Sequence, residues 1–123
     1  MASDRAFVDY LLELLEPLPT VTAKRMFGGY GLFRQGLMFG LVVDDTLYFK
    51  ADAVTQADFI ARALLPFTYN KQGKVMQMTY YGAPAEVLDE SEAMCAWAEQ
   101  AYGAALRAQQ AKRSKKNTKK NTE

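Results

Sequence analysis

The chain has 123 residues, half of them hydrophobic and 12% aromatic, which suits one domain with a real core and excludes an intrinsically disordered chain. Its formal net charge of +1 hides an asymmetry: residues 112–123 hold six of the fifteen basic residues and one of the fourteen acidic ones, so residues 1–111 are net acidic. An acidic body argues against a broad DNA-gripping face, which should be basic.

Along the chain, residues 4–16 are predicted to form a helix. Phe7, Tyr10, Leu11, Leu14 and Leu15 fall on one stripe of a 3.6-residue period, and Pro17 and Pro19 end it. Residues 22–51 read as three strands: Thr22 to Arg34, interrupted by glycines, then Leu37 to Val43, then Thr46 to Lys50. Gln35-Gly36 and Asp44-Asp45 supply turns short enough to force antiparallel neighbours. The middle strand is apolar on both faces, as expected of a central strand covered on both sides or of one lying in a dimer interface. Residues 53–64 read as a second helix with Phe59, Ile60, Ala63 and Leu64 inward, stopped by Pro66. A second hairpin, Phe67–Asn70 and Lys74–Tyr81, turns at Gln72-Gly73. Asp89 with Glu92 resembles a capping box opening the last helix, whose apolar stripe is Met94, Trp97, Ala98, Ala101 and Ala105 and which is expected to fade after Leu106.

Strands in two hairpin groups separated by helices define an α+β class, an antiparallel sheet packed by helices in two layers. The domain is placed at residues 1–111. Residues 112–123, with Lys-Lys-Asn-Thr repeated, are expected to form a basic, disordered tail. No apolar signal core and no run of membrane-spanning length is visible, so the expected location is the cytoplasm and no membrane partner is expected.

The chemistry that could hide here is limited. With no histidine and one cysteine, a Ser-His or Cys-His pair and a zinc site have no residues to build them. Cys95, beside the stripe of the last helix, reads as a half-buried structural thiol. The cluster Gly28, Gly29, Gly31 precedes a strand and lacks the Lys-Ser/Thr of a phosphate loop, so its glycines are read as permitting a bulge, a bend or close backbone approach. Asp44 and Asp45 read as turn formers. No catalytic residue, cofactor or metal is expected. Tyr30, Phe33, Tyr48, Tyr69, Tyr80 and Tyr81 make the sheet aromatic; beside an acidic body they favour core or a protein interface over base stacking. Lys24 and Arg25 stand next to this set. In the tail, Lys112, Arg113, Lys115, Lys116, Lys119 and Lys120 either contact nucleic-acid phosphates nonspecifically or form a solvated charged end.

Arg25-Met26-Phe27-Gly28-Gly29, followed by Tyr30-Gly31, resembles the hallmark of the TfoX/Sxy N-terminal domain. Leu47-Tyr48-Phe49-Lys50-Ala51-Asp52, Pro66-Phe67-Thr68-Tyr69, Met78-Thr79-Tyr80-Tyr81 with Pro84, and Trp97 resemble its later motifs in order, over roughly residues 5–108. The resemblance implies an α-β(3)-α-β(2)-α fold similar to secretion-chaperone-like domains. It also implies a bacterial, non-enzymatic role in regulating natural competence, where larger family members act as transcriptional co-activators alongside a cAMP receptor protein. Those larger members carry a second, helical C-terminal domain; here only the basic tail is expected after the last helix. The leading expectation is a regulatory module acting through protein contacts, with transcription machinery or a cAMP receptor protein-like regulator as partner and a homodimer as one form. The alternatives are a nucleic-acid accessory protein that uses the tail, and a small-molecule-binding domain.

Overall fold

The computed structural model describes the backbone of residues 5–26 and 28–121, with side chains through Arg113. Helix α1 (Arg5–Leu14) leads into four strands, β1 (Val21–Met26), β2 (Gly29–Arg34), β3 (Leu37–Val43) and β4 (Thr46–Lys50). A short helix α2 (Gln56–Ala61) precedes β5 (Pro66–Lys71) and β6 (Lys74–Gly82). A 3₁₀ turn (Ala85–Leu88) then leads to α3 (Ser91–Asn121). The six strands form one antiparallel sheet in the order β1-β2-β3-β4-β6-β5. The α+β two-layer class stands.

The turn residues account for the meander. Gln35 and Gly36 (φ 50° and 81°), Asp44 and Asp45 (51° and 54°), and Gln72 and Gly73 (51° and 82°) all adopt the left-handed conformation. Two successive left-handed residues make the two-residue hairpin turn whose twist matches that of paired strands. Asp tolerates this backbone better than most residues, which suits Asp44-Asp45.

Four expectations need correction. The stretch Thr22–Arg34 is not one strand: it folds back at Gly28 (φ 76°), so β1 pairs with β2 and the sheet gains a strand. Helix α2 is shorter than residues 53–64. Phe59 is buried, but Ile60 is 56% exposed and Ala63 lies on the surface in a left-handed conformation beyond the helix end. Asp89 does not open the last helix; it ends the 3₁₀ turn, and α3 starts at Ser91. Nor does α3 stop at Leu106. Ala104 to Ala111 is rich in strong helix formers and holds no glycine or proline, so the backbone stays helical through the basic segment to Asn121.

One core lies between the sheet and the helices. Val8, Leu11 and Leu15 from α1 and its exit, Phe59 from α2, Val87, and Met94, Ala98 and Ala101 from α3 cover Leu32, Phe39, Leu47 and Phe49 of the sheet. Leu32, Phe39 and Phe49 have no exposed surface. A register shift of β2 against β3, which passes from Leu32↔Gly40 to Phe33↔Met38, leaves Phe39 as an extra residue. That bulge lets both Phe39 and Val42 enter the same core despite their opposite parity. Phe59 stacks on Tyr81 (5.4 Å between centroids) and meets Trp97 edge to face (5.2 Å). Among the described residues no helix is long and apolar enough to cross a membrane.

Side chains lock the helices to one another. The Ser91 hydroxyl donates to the Leu14 carbonyl (2.6 Å), and the Cys95 thiol approaches the same oxygen (3.5 Å), so α3 satisfies an orphan carbonyl at the end of α1. Cys95 is half-buried and free, as expected of a structural thiol. The Tyr10 hydroxyl donates to the Leu88 carbonyl.

Candidate functional site

Every helix packs on the same face of the sheet, so the opposite face has no second layer within the described residues. Cross-strand partners show which residues it carries. Lys24 pairs with Gly31, Leu41 with Gly31 and Tyr48, and Lys50 with Tyr80. Tyr69 pairs with Met76, and Lys71 with Lys74. Directly opposed residues point the same way, so these side chains share the uncovered face.

The floor of that face is apolar. A depression of ≈ 380 Å³ lies between Met26, Met38, Leu41 and Val43 on one side and Phe67, Tyr69 and Met78 on the other. Phe67 meets Tyr48 edge to face (5.1 Å) and stacks on Tyr69 (6.3 Å). Leu41 and Tyr80 are only 5% exposed, although neither belongs to the helix-side core. They form the bottom of a second, thinner apolar layer. The Tyr80 hydroxyl donates to the Met38 carbonyl (3.3 Å), and burial pushes its phenol up to about 12. Met76 and Tyr69 are 39% and 40% exposed.

The glycines of the motif build this face. Gly31 lies beneath it: a Cβ there would stand 2.8 Å from the sulfurs of both Met26 and Met38 and from the Phe33 ring. Without a side chain, Gly31 lets two methionines and a phenylalanine close over the strand. A Cβ on Gly29 would collide with the Val42 carbonyl, so that glycine is fixed by close backbone approach. Arg25 faces the helix side, its guanidinium 5.9 Å from the Tyr30 ring centre, and Arg5 approaches the same ring (5.6 Å). Phe27 lies outside the described residues. The bend and close-approach reading of the glycines agrees with this geometry.

Charge on the sheet has one sign. The six strands contain six cations, Lys24, Arg25, Arg34, Lys50, Lys71 and Lys74, and no aspartate or glutamate. The ion pairs among the described residues lie elsewhere: Arg5–Asp9, Arg62–Glu86 and Arg107–Asp52. Lys24 sits over Phe33 (5.6 Å) and Lys50 over Tyr80 (5.3 Å), so these stems lie on the apolar floor with their charge at its rim. Burial, and then the neighbouring Lys112, hold the Lys50 ammonium below its ordinary range, against the opposing pull of Asp52. The acidic net charge of the body therefore belongs to helices and turns.

Asp52 is a structural hub that the sequence reading did not single out. One carboxylate oxygen accepts from the Val54 and Thr55 amides (3.0 and 3.2 Å), while the Thr55 hydroxyl accepts from the Asp52 amide (3.1 Å). Arg107 donates to both carboxylate oxygens (2.6 and 3.2 Å), tying the turn before α2 to α3. The Arg107 hydrogen bond above all holds this carboxyl below its ordinary range. Its sequence signals were its place at the end of the Leu47–Asp52 motif and the Thr three residues later.

Of the tail cations, Lys112 and Arg113 are exposed on α3. The backbone at Lys115, Lys116, Lys119 and Lys120 is helical, and their side chains lie outside the described residues.

The class is that of a two-layer α+β domain with one sheet face covered by helices and the other apolar and uncovered among the described residues. The chain matches the model of the TfoX N-terminal domain over residues 13–105, and it belongs to that family. No curated protein matches it. The family is one of competence-related regulatory domains, which agrees with the resemblance carried by Arg25-Met26-Phe27-Gly28-Gly29.

Proposed function

We propose that this chain is a non-enzymatic, cytoplasmic regulatory module that acts on competence genes through a protein contact on its uncovered sheet face. The observation that carries this reading is the depression between Met26, Met38, Leu41, Val43, Phe67, Tyr69 and Met78. A sheet face this apolar is normally covered by a further layer, and a large exposed apolar patch marks an interaction site. Transcription machinery or a cAMP receptor protein-like regulator is the first partner to try, following the family resemblance.

The test is a competence-gene reporter in a bacterial host supplied with the full chain or with Met78→Glu, each checked for folding by thermal melting. The full chain should change reporter output, and Met78→Glu should abolish that change while keeping a cooperative melt. A reporter indifferent to the full chain removes the competence role. A folded Met78→Glu protein that works normally removes the contact face.

A second reading, nonspecific nucleic-acid binding, rests on the continuation of α3 through the tail cations. Six cations neutralise at most about six phosphates, for a log–log salt slope no steeper than roughly −5. Reversing Lys112, Arg113, Lys115, Lys116, Lys119 and Lys120 to Glu in the full chain should abolish low-salt binding to random duplex DNA if this reading holds. Binding that survives the reversal excludes the tail as the contact.

A further inference from the structure

We infer that the occupant of the uncovered sheet face is an acidic amphipathic helix from a partner protein. This deepens the protein-contact reading above and rests on it. Three observations choose this occupant.

The first is charge. Lys24, Lys50, Lys71 and Lys74 share the uncovered face, and no carboxylate lies on any strand; Asp52, just after β4, draws Lys50 but is itself paired with Arg107. Elsewhere in the described body, Arg5, Arg62 and Arg107 each have a carboxylate partner. A partner with carboxylates flanking an apolar stripe would meet both the lysine rim and the apolar floor. A second copy presenting this same face would set lysine against lysine, which disfavours a face-to-face dimer.

The second is the floor. Methionine supplies Met26, Met38 and Met78, with Met76 nearby at the surface. Its flexible, polarizable side chain moulds to varied apolar partners and is over-used on surfaces that receive amphipathic helices. Gly31 has no side chain, and two of these sulfurs close over its strand in the space that a Cβ would need.

The third is shape. The depression runs from β1–β3 across the sheet to β5 and β6. A helix laid over the strands is the usual way an apolar sheet face is covered. The β1 and β5 edges would favour strand addition, but their pairing would leave the floor open to water.

The experiment uses the full chain and fluorescence anisotropy. The probe is a labelled helical peptide of about 18 residues, with Leu and Phe at i, i+3, i+4 and i+7 and Glu on both flanks. Its controls are the same peptide with Lys for Glu, the Glu peptide with its order scrambled, and a labelled oligothymidine of about 15 nucleotides. The Glu peptide should bind at least about tenfold more tightly than the Lys and scrambled peptides, and more weakly as salt rises. The exposed pair Lys71→Glu/Lys74→Glu, which disturbs no packing, should weaken the Glu peptide at least about fivefold. Met76→Glu should weaken it too.

Equal binding of the Glu and Lys peptides overturns the inference, as does no binding of the Glu peptide. Oligothymidine displacing the Glu peptide, or binding when it does not, overturns it in favour of single-stranded nucleic acid. If the peptide fails while Met78→Glu still abolishes reporter output, the partner chemistry is wrong and the protein-contact reading stands. If Met78→Glu leaves the reporter unchanged, that reading falls with it.

Discussion

The two faces of the sheet are both apolar, but they are built differently. On the helix side, Leu32, Phe39 and Phe49 are fully buried under α1, α2 and α3. On the other side, among the described residues, only Leu41 and Tyr80 are comparably buried, and Met76 and Tyr69 stay about two-fifths exposed. The covered face is aliphatic and aromatic with defined packing. The uncovered face is rich in methionine and rimmed by lysine. The difference teaches that burial under the helices settles the first face, whereas the second has no covering layer among the described residues.

The largest expected effect tests the covered face. Phe49→Ala should cost about 3–5 kcal/mol, because a fully buried aromatic is replaced by a cavity that the helices cannot collapse. Urea denaturation gives this directly; a loss under about 1 kcal/mol would mean that the helix layer is loosely packed.

Next comes the tie between the turn before α2 and α3. Asp52→Asn keeps the shape but weakens the pairing with Arg107, which is 43% exposed, so solvent screening limits the loss to about 1 kcal/mol. Its mark lies in pH dependence. With its carboxyl held low by Arg107, Asp52 contributes stability that is present above its unfolded value near about 4 and is lost as pH falls through the lower folded value. Melting curves from about pH 6 to about pH 2 should show a shallower acid loss in Asp52→Asn than in the parent. Equal slopes would remove the linkage.

On the uncovered face the effects are smaller. Tyr80→Phe removes one hydrogen bond to the Met38 carbonyl, worth about 1 kcal/mol. The parent should also lose stability between about pH 10, where the unfolded phenol ionises, and about 12, where the folded one does; Tyr80→Phe should lack that step. A retained alkaline step would assign it to another group.

The smallest effect sharpens the contrast most. Met76→Ser should change stability by no more than about 0.5 kcal/mol, since this side chain is 39% exposed and packs on the outer layer. A cost of several kcal/mol would show that the uncovered face is a core in its own right.

Much of this was legible in the amino acids. The hairpins at Gln35-Gly36, Asp44-Asp45 and Gln72-Gly73 depend on a few residues that take a left-handed backbone, so local chemistry settles them. The stripe of α3 through Met94, Trp97, Ala98, Ala101 and Ala105 is a matter of period; all but Trp97, which is half-buried, proved buried. In α1 the same period found Leu11 and Leu15 but passed over Val8, which is fully buried, and included Tyr10, which is 42% exposed and bonded instead to Leu88.

Other features required the assembled fold. The chain reversal at Gly28 was hidden because Gly28-Gly29 fits a bulge or a bend within one strand as well as a turn between two, and only the Met26↔Gly29 pairing separates them. The Asp52–Arg107 pair joins residues 55 apart in sequence, and no local pattern brings them together. The lysine rim was masked by net charge: an acidic body read as a whole conceals a sheet without a carboxylate, because charge summed along a chain carries no information about faces. Local backbone preference and periodicity act over a few residues, so the sequence by itself determined most element types, the turns at Gln35-Gly36, Asp44-Asp45 and Gln72-Gly73, and the family motif. Which side of the sheet the helices cover, and therefore which apolar face stays available, depends on contacts between distant segments, and only the tertiary structure decided it.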